Sequence, residues 1–441
     1  MSRGVSRRTG ATAHAAGGVL ARLAPADVLG PDWLVPWRRE ALAWIGEHGY
    51  PTRKHEDWRY TGLDPILNTA YEPAPRGSDT RAQAATVAAR GADLGGPRLV
   101  FVNGHLRRDL SDLHGLPEGA TVTDLAGALH DSRDLLEPVL TGGGWQHAFA
   151  AVNDALTPDG AFVHLAPGVR LSAPVHLVFV TDTAGERLLV SPRSVFLLGS
   201  DSRACIVETH VGVDGDVHCT NAVTDVRLDR DAQLEHLKIQ DEPHTAHHLA
   251  LLDVRQQGGS RFASHSSMLG AATARQEVRV LLAAEGAEVH LDGLYLPVGE
   301  QVHDNTIFVD HAAPGCASHQ LYKGALSGRG RGIFNGHIMV RPGADGTDAH
   351  QTNKNLLLTD RAEADTRPRL EIYADDVKCT HGAAVGQLDE QALLYLRSRG
   401  IDERSARQLL VRAFVQEMLD RVAILPVREQ LQALLADRTI A

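Results

Sequence analysis

A loosely kept period near 28 residues constrains this chain more than any other feature. A polar or glycine-bearing turn, a small residue, a spacer and usually an apolar residue recur at Ala204-x-Ile206, Ala232-x-Leu234, Ser260-x-Phe262 and Ala287-x-Val289, with Cys316 at the next small position. The gaps between the small residues are 28, 28, 27 and 29, and each follows a breaker: Asp201, Asp231, Gly259, Gly286 or Gly315. A fixed period built from short extended runs marks a solenoid, because no single repeat can bury its own apolar face.

Between the breakers, Val226-Arg-Leu-Asp, Val278-Arg-Val-Leu and Val289-His-Leu-Asp alternate in character. Side chains of one parity then face a common interior. A coiled parallel β-helix satisfies this economically, and an antiparallel sandwich of hairpins is the competing arrangement.

The flanks read as helix. WLVPWRREALAWIGEHG places Trp37, Ala41, Trp44 and Ile45 at helical spacing and stops on Gly49. Beyond Gly386, Asp389 can cap a helix through Ser398, and Asp402 another to about Ala423. Ala406, Leu410, Phe414 and Met418 form its apolar stripe, and Pro426 separates a last short helix. Taken alone, that stripe packs on the chain's own core.

Composition excludes several classes. The 441 residues suffice for two or three units at about 100–200 residues per domain. No apolar run approaches the roughly 18 residues of a membrane span, so insertion is not expected. A net charge of −11 removes the attraction to phosphate backbones that dominates nonspecific nucleic-acid binding, so no nucleic-acid partner is expected. The opening MSRGVSRRTGATAHAAGG is basic and free of acids; with no apolar stretch after Arg7-Arg8 it reads as a disordered tail rather than an export or transit signal. Cys205, Cys219, Cys316 and Cys379 lie 14, 97 and 63 residues apart, without CxxC or zinc-finger spacing. Such sparse thiols suit a reducing cytoplasm.

The segment Asn355–Ile401 carries the chemistry. Lys378-Cys379-Thr380-His381 sets a thiol and an imidazole two residues apart after an extended run, so in a strand both project from one face. By itself Cys379 would read as a small buried hydrophobe and His381 as a turn residue. Cluster irons are held by thiolates, with histidine replacing some, and the set numbers four. One Cys and one His fill half of it. A cluster bound here would be shared with a second polypeptide or be transient, and because neutral imidazole ligates, it should weaken as pH falls through the histidine's pKa.

LEIYADDVKCTHG followed by VGQLDE and YLRSRGI resembles the C-terminal signature of SufD-type members of the SufB/SufD family of iron-sulfur cluster assembly proteins. Gly49-Tyr-Pro-Thr-Arg-Lys-His-Glu-Asp-Trp-Arg-Tyr-Thr-Gly-Leu63 resembles the GxPTxxxExWRYTxL signature near the start of the same proteins. The resemblance implies a right-handed parallel β-helix core flanked by N-terminal and C-terminal α-helical regions. The expected organisation is a tail over 1–18, a helical region over 19–95, a β-helix over 96–385 and a C-terminal helical domain over 386–441 that docks an ATPase. It further implies a non-catalytic scaffold working with a SufB-like paralogue and a SufC-like ATPase, with His381 and Cys379 at the junction where a nascent iron-sulfur cluster forms. Reduced flavin is a candidate electron source for such a complex. SufB-type chains carry a cysteine just before the LLL run, where this chain has Asn353-Lys354-Asn355, which argues for the SufD type. Glu371 in Pro368-Arg-Leu-Glu, read as a turn, matches a glutamate on the SufB sulfur route and ranks low, since such a carboxylate is ordinarily solvated.

Other motifs carry less. Pro243-His-Thr-Ala-His-His248 lacks the glutamate of HExxH and reads as a polar turn, while His303-Asp304, His311 and His319 read as structural. Gly328-Arg-Gly-Arg-Gly-Ile-Phe-Asn-Gly336 has no Lys-Ser/Thr ending, and with no Walker A motif any ATP hydrolysis is expected in a partner. Asp375-Asp376 resembles a glycosidase pair only in composition, because neighbours in a strand face opposite ways. Two alternatives stay open: a SufB-type cluster scaffold, and a β-helix polysaccharide enzyme, for which 5% aromatic residues are few.

Overall fold

A computed structural model describes residues 30–75 and 92–437, together with Leu20 and Val87; the tail expected over 1–18 lies outside them. Among the described residues, strands form two sheets of eleven and ten members. From Arg193 to Gln387 consecutive strands go alternately to one sheet and the other, and from Val217–Leu228 onward each pairs in parallel with the strand two before it. This is a parallel β-helix of about eight turns. Antiparallel pairs occur at its N-terminal end, where Ala120–Asp124 meets Ala161–Leu165 and Arg98–Val102 meets His105–Leu106. The hairpin sandwich is therefore excluded.

The breakers recognised in the sequence share a backbone state. Asp201 and Asp231 have φ of 60°, and Gly259, Gly286 and Gly315 have φ of 66–72°. Each coil turns its corner through the left-handed region, which glycine enters freely and aspartate tolerates. The small-residue column is real, with one correction. Ala232, Ser260, Ala287 and Cys316 stack in register, but Gln233 pairs with Arg203, so Ser202 stands below Ala232 and Ala204 pairs with Leu234. A slip of two residues keeps side chains on the same face, and the hydrophobic pattern alone cannot detect it.

Val226, Leu228, Val278, Val280, Val289 and Leu291 all face the lumen, which along one half is a continuous apolar core from Leu99 to Ala362. The other half is polar and equally buried, holding Glu208, His210, His236, Lys238 and Glu242.

The expected N-terminal helix spans Val35–His48, and Gly49 ends it at φ 68° by donating its N–H to Ile45 O at 2.8 Å. Helices Leu125–Asp131, Arg133–Leu140 and Ala148–Leu156 also precede the first regular coil. The 49–63 motif is a latch on the solenoid wall. Trp58 lies over the Arg275 guanidinium at 3.9 Å, Thr61 donates to Asp304, Asp57 accepts from Asn335 at 3.2 Å, and Glu56 pairs with Arg367.

The C-terminal helices span Glu390–Ser398, Glu403–Asp420 and Leu425–Asp437. Asp389 caps the first by accepting from the N–H groups of Gln391 and Ala392, and Asp402 caps the second through Ser405. Pro426 sits in the first turn of the last helix rather than between helices. The apolar stripe is corrected too: Ala406, Val411, Val415, Met418 and Leu419 are buried, while Leu410 and Phe414 are half-buried. An exact four-residue step drifts off a 3.6-residue turn within two turns. The stripe packs on Val207, Leu237, Ile239, Leu294 and Leu356 outside the ten-stranded sheet, each such side chain contributing about 1.5–3 kcal/mol.

Candidate functional site

The solenoid ends in an uncovered coil. Its last strands, Glu363–Ile372 and Val377–Gln387, are the terminal members of the two sheets. Buried residues line every strand from Ala317 to Leu357, yet none lies in Val377–Gln387. Missing is the next coil that would cover them.

Register sets the orientation of the sequence-predicted pair. Cys379 pairs with Ala349 and His381 with Gln351, both lumen-facing and buried. Cys379 and His381 share their parity and thus the lumen side, Cys379 half-buried against the apolar core and His381 exposed at the mouth. Beneath His381 the lumen is floored by two amides, Gln351 Nε2 donating to Gln320 Oε1 at 2.9 Å. Thr380 faces outward, its Oγ 2.6 Å from His350 Nδ1. Burial, helped by Asp348, pushes the Cys379 thiol above its ordinary pKa, so it is held protonated and must release a proton to ligate a metal. Its sulfur is free, as are those of Cys205, Cys219 and Cys316.

Glu371 is not in a turn; it lies in Glu363–Ile372, paired with outward-facing Met339. Its carboxylate accepts from Tyr373 OH at 2.6 Å and meets His337 Nε2 at 3.0 Å, while Arg369 approaches His337 Nδ1 at 2.7 Å. The Tyr373 bond, with His337, holds Glu371 below the usual carboxylate pKa. The fold therefore brings Cys379 and His381 together and leaves Glu371 outside the lumen on the other sheet.

Other set-aside motifs are placed as follows. His247 and His248 are not turn residues: they begin the strand His247–Gln256 and are buried, with His248 Nδ1 2.7 Å from Glu242. The six-residue pattern hid this because the turn takes only its first half. His303, Asp304 and His311 are buried as structural residues. His319 stacks outside the sheet between His290 and His350, with ring centroids 4.9 and 5.3 Å away. Asp375-Asp376 form the bend between the last two strands. The glycines of 328–336 answer to crowding: a side chain on Gly332 would strike Tyr295, and one on Gly336 would strike Gln351. Asn353 and Asn355 are buried and tied to Tyr295, whose hydroxyl donates to Asn355 and accepts from Asn353 at 2.5 and 2.9 Å.

Sequence reading passed over the apolar residues around this coil. Ile372, Tyr373 and Val385 are exposed on it, and Leu394 and Tyr395 on Glu390–Ser398, a helix with no buried residue. Large exposed apolar side chains gathered in one region mark an interaction surface. The Tyr373 of LEIYADD was the available signal.

Comparison with known proteins assigns this β-helix to the iron-sulfur cluster assembly proteins of the SUF system. Residues 179–414 match the SufBD core domain of SUF system FeS cluster assembly, and residues 30–177 match the SufBD protein N-terminal region. The chain belongs to the SufBD family. It is 32% identical over 413 residues to the iron-sulfur cluster assembly protein SufD of Escherichia coli, covering 91% of this chain and 92% of that protein. It is 30% identical to a SufBD family protein of Synechocystis, covering 92% and 91%, and 38% identical to one of Mycobacterium leprae, covering 72% and 76%. Among the described residues, no helix is long and apolar enough to cross a membrane.

Proposed function

We propose that this chain is the SufD-type scaffold subunit of a cytoplasmic cluster assembly complex, pairing through its open coil with a SufB-like paralogue. The observation that carries this is the terminal coil itself: Cys379 and His381 point to the lumen side of a wall that no later strand covers. Half a ligand set at an unfinished edge suits a cluster built as cargo between two chains. Asn353 and Asn355, where SufB-type chains carry a thiol, support the SufD type.

The C-terminal domain over 386–441 is the docking element for a SufC-like ATPase. Its internal stripe is consumed by the solenoid, so docking falls to the outward Leu394, Tyr395 and Leu409. ATP-driven closure of two such ATPases would strain the paired helical ends, open the junction and expose His381 and Cys379 to partner thiolates and iron. The chain itself is non-catalytic in this scheme.

His381→Ala tests the reading in the coexpressed complex after anaerobic purification. Folding and complex formation stay intact, because His381 is exposed and holds no element in place, while the visible absorbance of the built cluster disappears. A normal cluster yield would remove His381 from the ligand set.

A further inference from the structure

The two strands that end the solenoid are unlike as edges. In a parallel ladder the N–H and C=O of one residue point to one neighbouring strand and those of the next residue point to the other. Glu363 and Tyr373 donate to Gly330 O and Val340 O beneath them at 3.1 and 2.9 Å, and the register is unbroken from Arg331 opposite Glu363 to Val340 opposite Ile372. Odd-numbered residues of Glu363–Ile372 therefore address the solenoid, and even-numbered ones its free edge. Pro368, in the middle of the strand, is even-numbered. It has no N–H, so the free edge lacks its central donor, and its ring stands where a further strand would lie. Glu363, Asp365, Arg367, Arg369 and Glu371 add five charges to the same strand. Proline and charge are the means by which sheets blunt an edge against pairing.

Val377–Gln387 carries neither device. Ala317 donates to Ala287 O, and its register mate Asp348 to Cys316 O, both at 3.0 Å; Lys378 stands in register with Asp348. The same direction repeated on the last coil turns even-numbered residues toward the solenoid. The N–H and C=O groups of Cys379, His381, Ala383 and Val385 are left on the free edge. This strand is eleven residues long, holds no proline, has Lys378 as its only lysine, arginine or acidic residue, and is exposed throughout from Thr380 onward. A long bare edge of this kind is a template for strand addition.

We propose, on the reading of the open coil as the junction, that the SufB-like partner adds one extended strand to Val377–Gln387 and leaves the edge at Pro368 unpaired, so that a single seam joins the chains. In such pairing the main chain supplies the affinity and asks little of the side chains, which suits the small residues of Gly382-Ala-Ala-Val-Gly386. It also sets the chemistry. Neighbouring strands lie about 4.8 Å apart, so a partner side chain of lumen parity arrives one strand spacing from Cys379 and His381, on the side where their ligand set is incomplete. A second copy of this chain is disfavoured as the occupant, because each copy carries a net charge of −11 and repels the other.

Proline substitutions in the full chain separate the two edges. Ala383→Pro removes a donor that the isolated chain does not use, so its urea midpoint matches wild type while its copurification with the coexpressed, tagged SufB-like partner falls by about 10-fold or more. Ala384→Pro, whose N–H addresses the solenoid, lowers the midpoint. Pro368→Ala leaves copurification unchanged. Hydrogen exchange on the unaltered chains reads the seam without any variant: binding of the partner slows exchange in 377–387 and not in 363–372. Full copurification of folded Ala383→Pro, an unchanged midpoint in Ala384→Pro, or protection of 363–372 in place of 377–387 would overturn the single seam and leave the open coil as the junction. A complex that protects neither strand would remove the junction as well. A wild-type chain that elutes as a dimer and becomes monomeric with Ala383→Pro would give the edge to a second copy and overturn the choice of partner.

Discussion

Replacing Asp304 by asparagine measures how firmly the 49–63 motif is latched to the solenoid. Asp304 accepts from Arg275 and Thr61 and, at 3.0 Å, from Thr306, and it and Arg275 are only 1–2% exposed. Asparagine preserves the volume and removes the charge. Arg275 then keeps Glu277 at 3.5 Å and the Trp58 ring, but Glu277 is shared with His147 at 3.2 Å and Arg279 at 2.7 Å. Breaking a buried pair by removing one partner costs about 3–5 kcal/mol, and the residual Glu277 contact places this case near about 3 kcal/mol. Equilibrium urea unfolding followed by tryptophan fluorescence reads the change, Trp58 being beside the lesion. Thr61→Val should cost less in the Asp304→Asn background than in wild type, because the bond is already weakened. Combining Arg275→Met with Asp304→Leu should recover most of the loss, since apolar residues of similar size replace buried ion pairs at little cost. An Asp304→Asn protein within about 0.5 kcal/mol of wild type would show that the pair does not hold the latch.

Two further outcomes are expected. Asp389→Ala removes a cap accepting two N–H bonds from a helix with no buried residue, so Glu390–Ser398 should lose about 1 kcal/mol and show faster amide exchange than Glu403–Asp420. Burial holds His176, His247, His248, His265 and His311 at pKa values of about 4, below the ordinary 6.5. The unfolded chain therefore binds more protons between those values, and stability, full above about pH 6.5, should fall steadily toward pH 4 at up to about 1.4 kcal/mol per pH unit for each histidine; a flat urea midpoint across that interval would contradict the burial of these rings.

Much of the architecture was legible because it rests on local rules. The breakers Asp201, Asp231, Gly259, Gly286 and Gly315 announce a repeated backbone corner, and Asp389, Asp402 and Gly49 stand where helix ends need them. Parity alone put Cys379 and His381 on one face. What escaped were properties that depend on neighbours distant in sequence. Ser202 rather than Ala204 begins the small column because register is settled by adjoining coils. Val411 and Val415 outcompete Leu410 and Phe414 for the sheet because helical periodicity is not an integer. His248 looked like a solvated turn, yet its strand begins two residues earlier than the local pattern suggested. The lumen's polar half was invisible for the same reason: Glu208 and His210 lie on one strand and His236 on the next coil of the same sheet, and they meet only after winding.

The two ends of the solenoid are unlike. At the N-terminal end the short antiparallel strands His105–Leu106 and Ala120–Asp124, with the helix Leu125–Asp131, break the parallel ladder, whereas at the other end Glu363–Ile372 and Val377–Gln387 leave theirs unfinished. A bare edge on a long stack invites endless head-to-tail growth. Here elongation can proceed by one step only, since among the described residues the other end ends each sheet on an antiparallel strand and offers no parallel ladder to extend. Two such half-stoppered rods brought face to face would make a sealed pair, not a fibre.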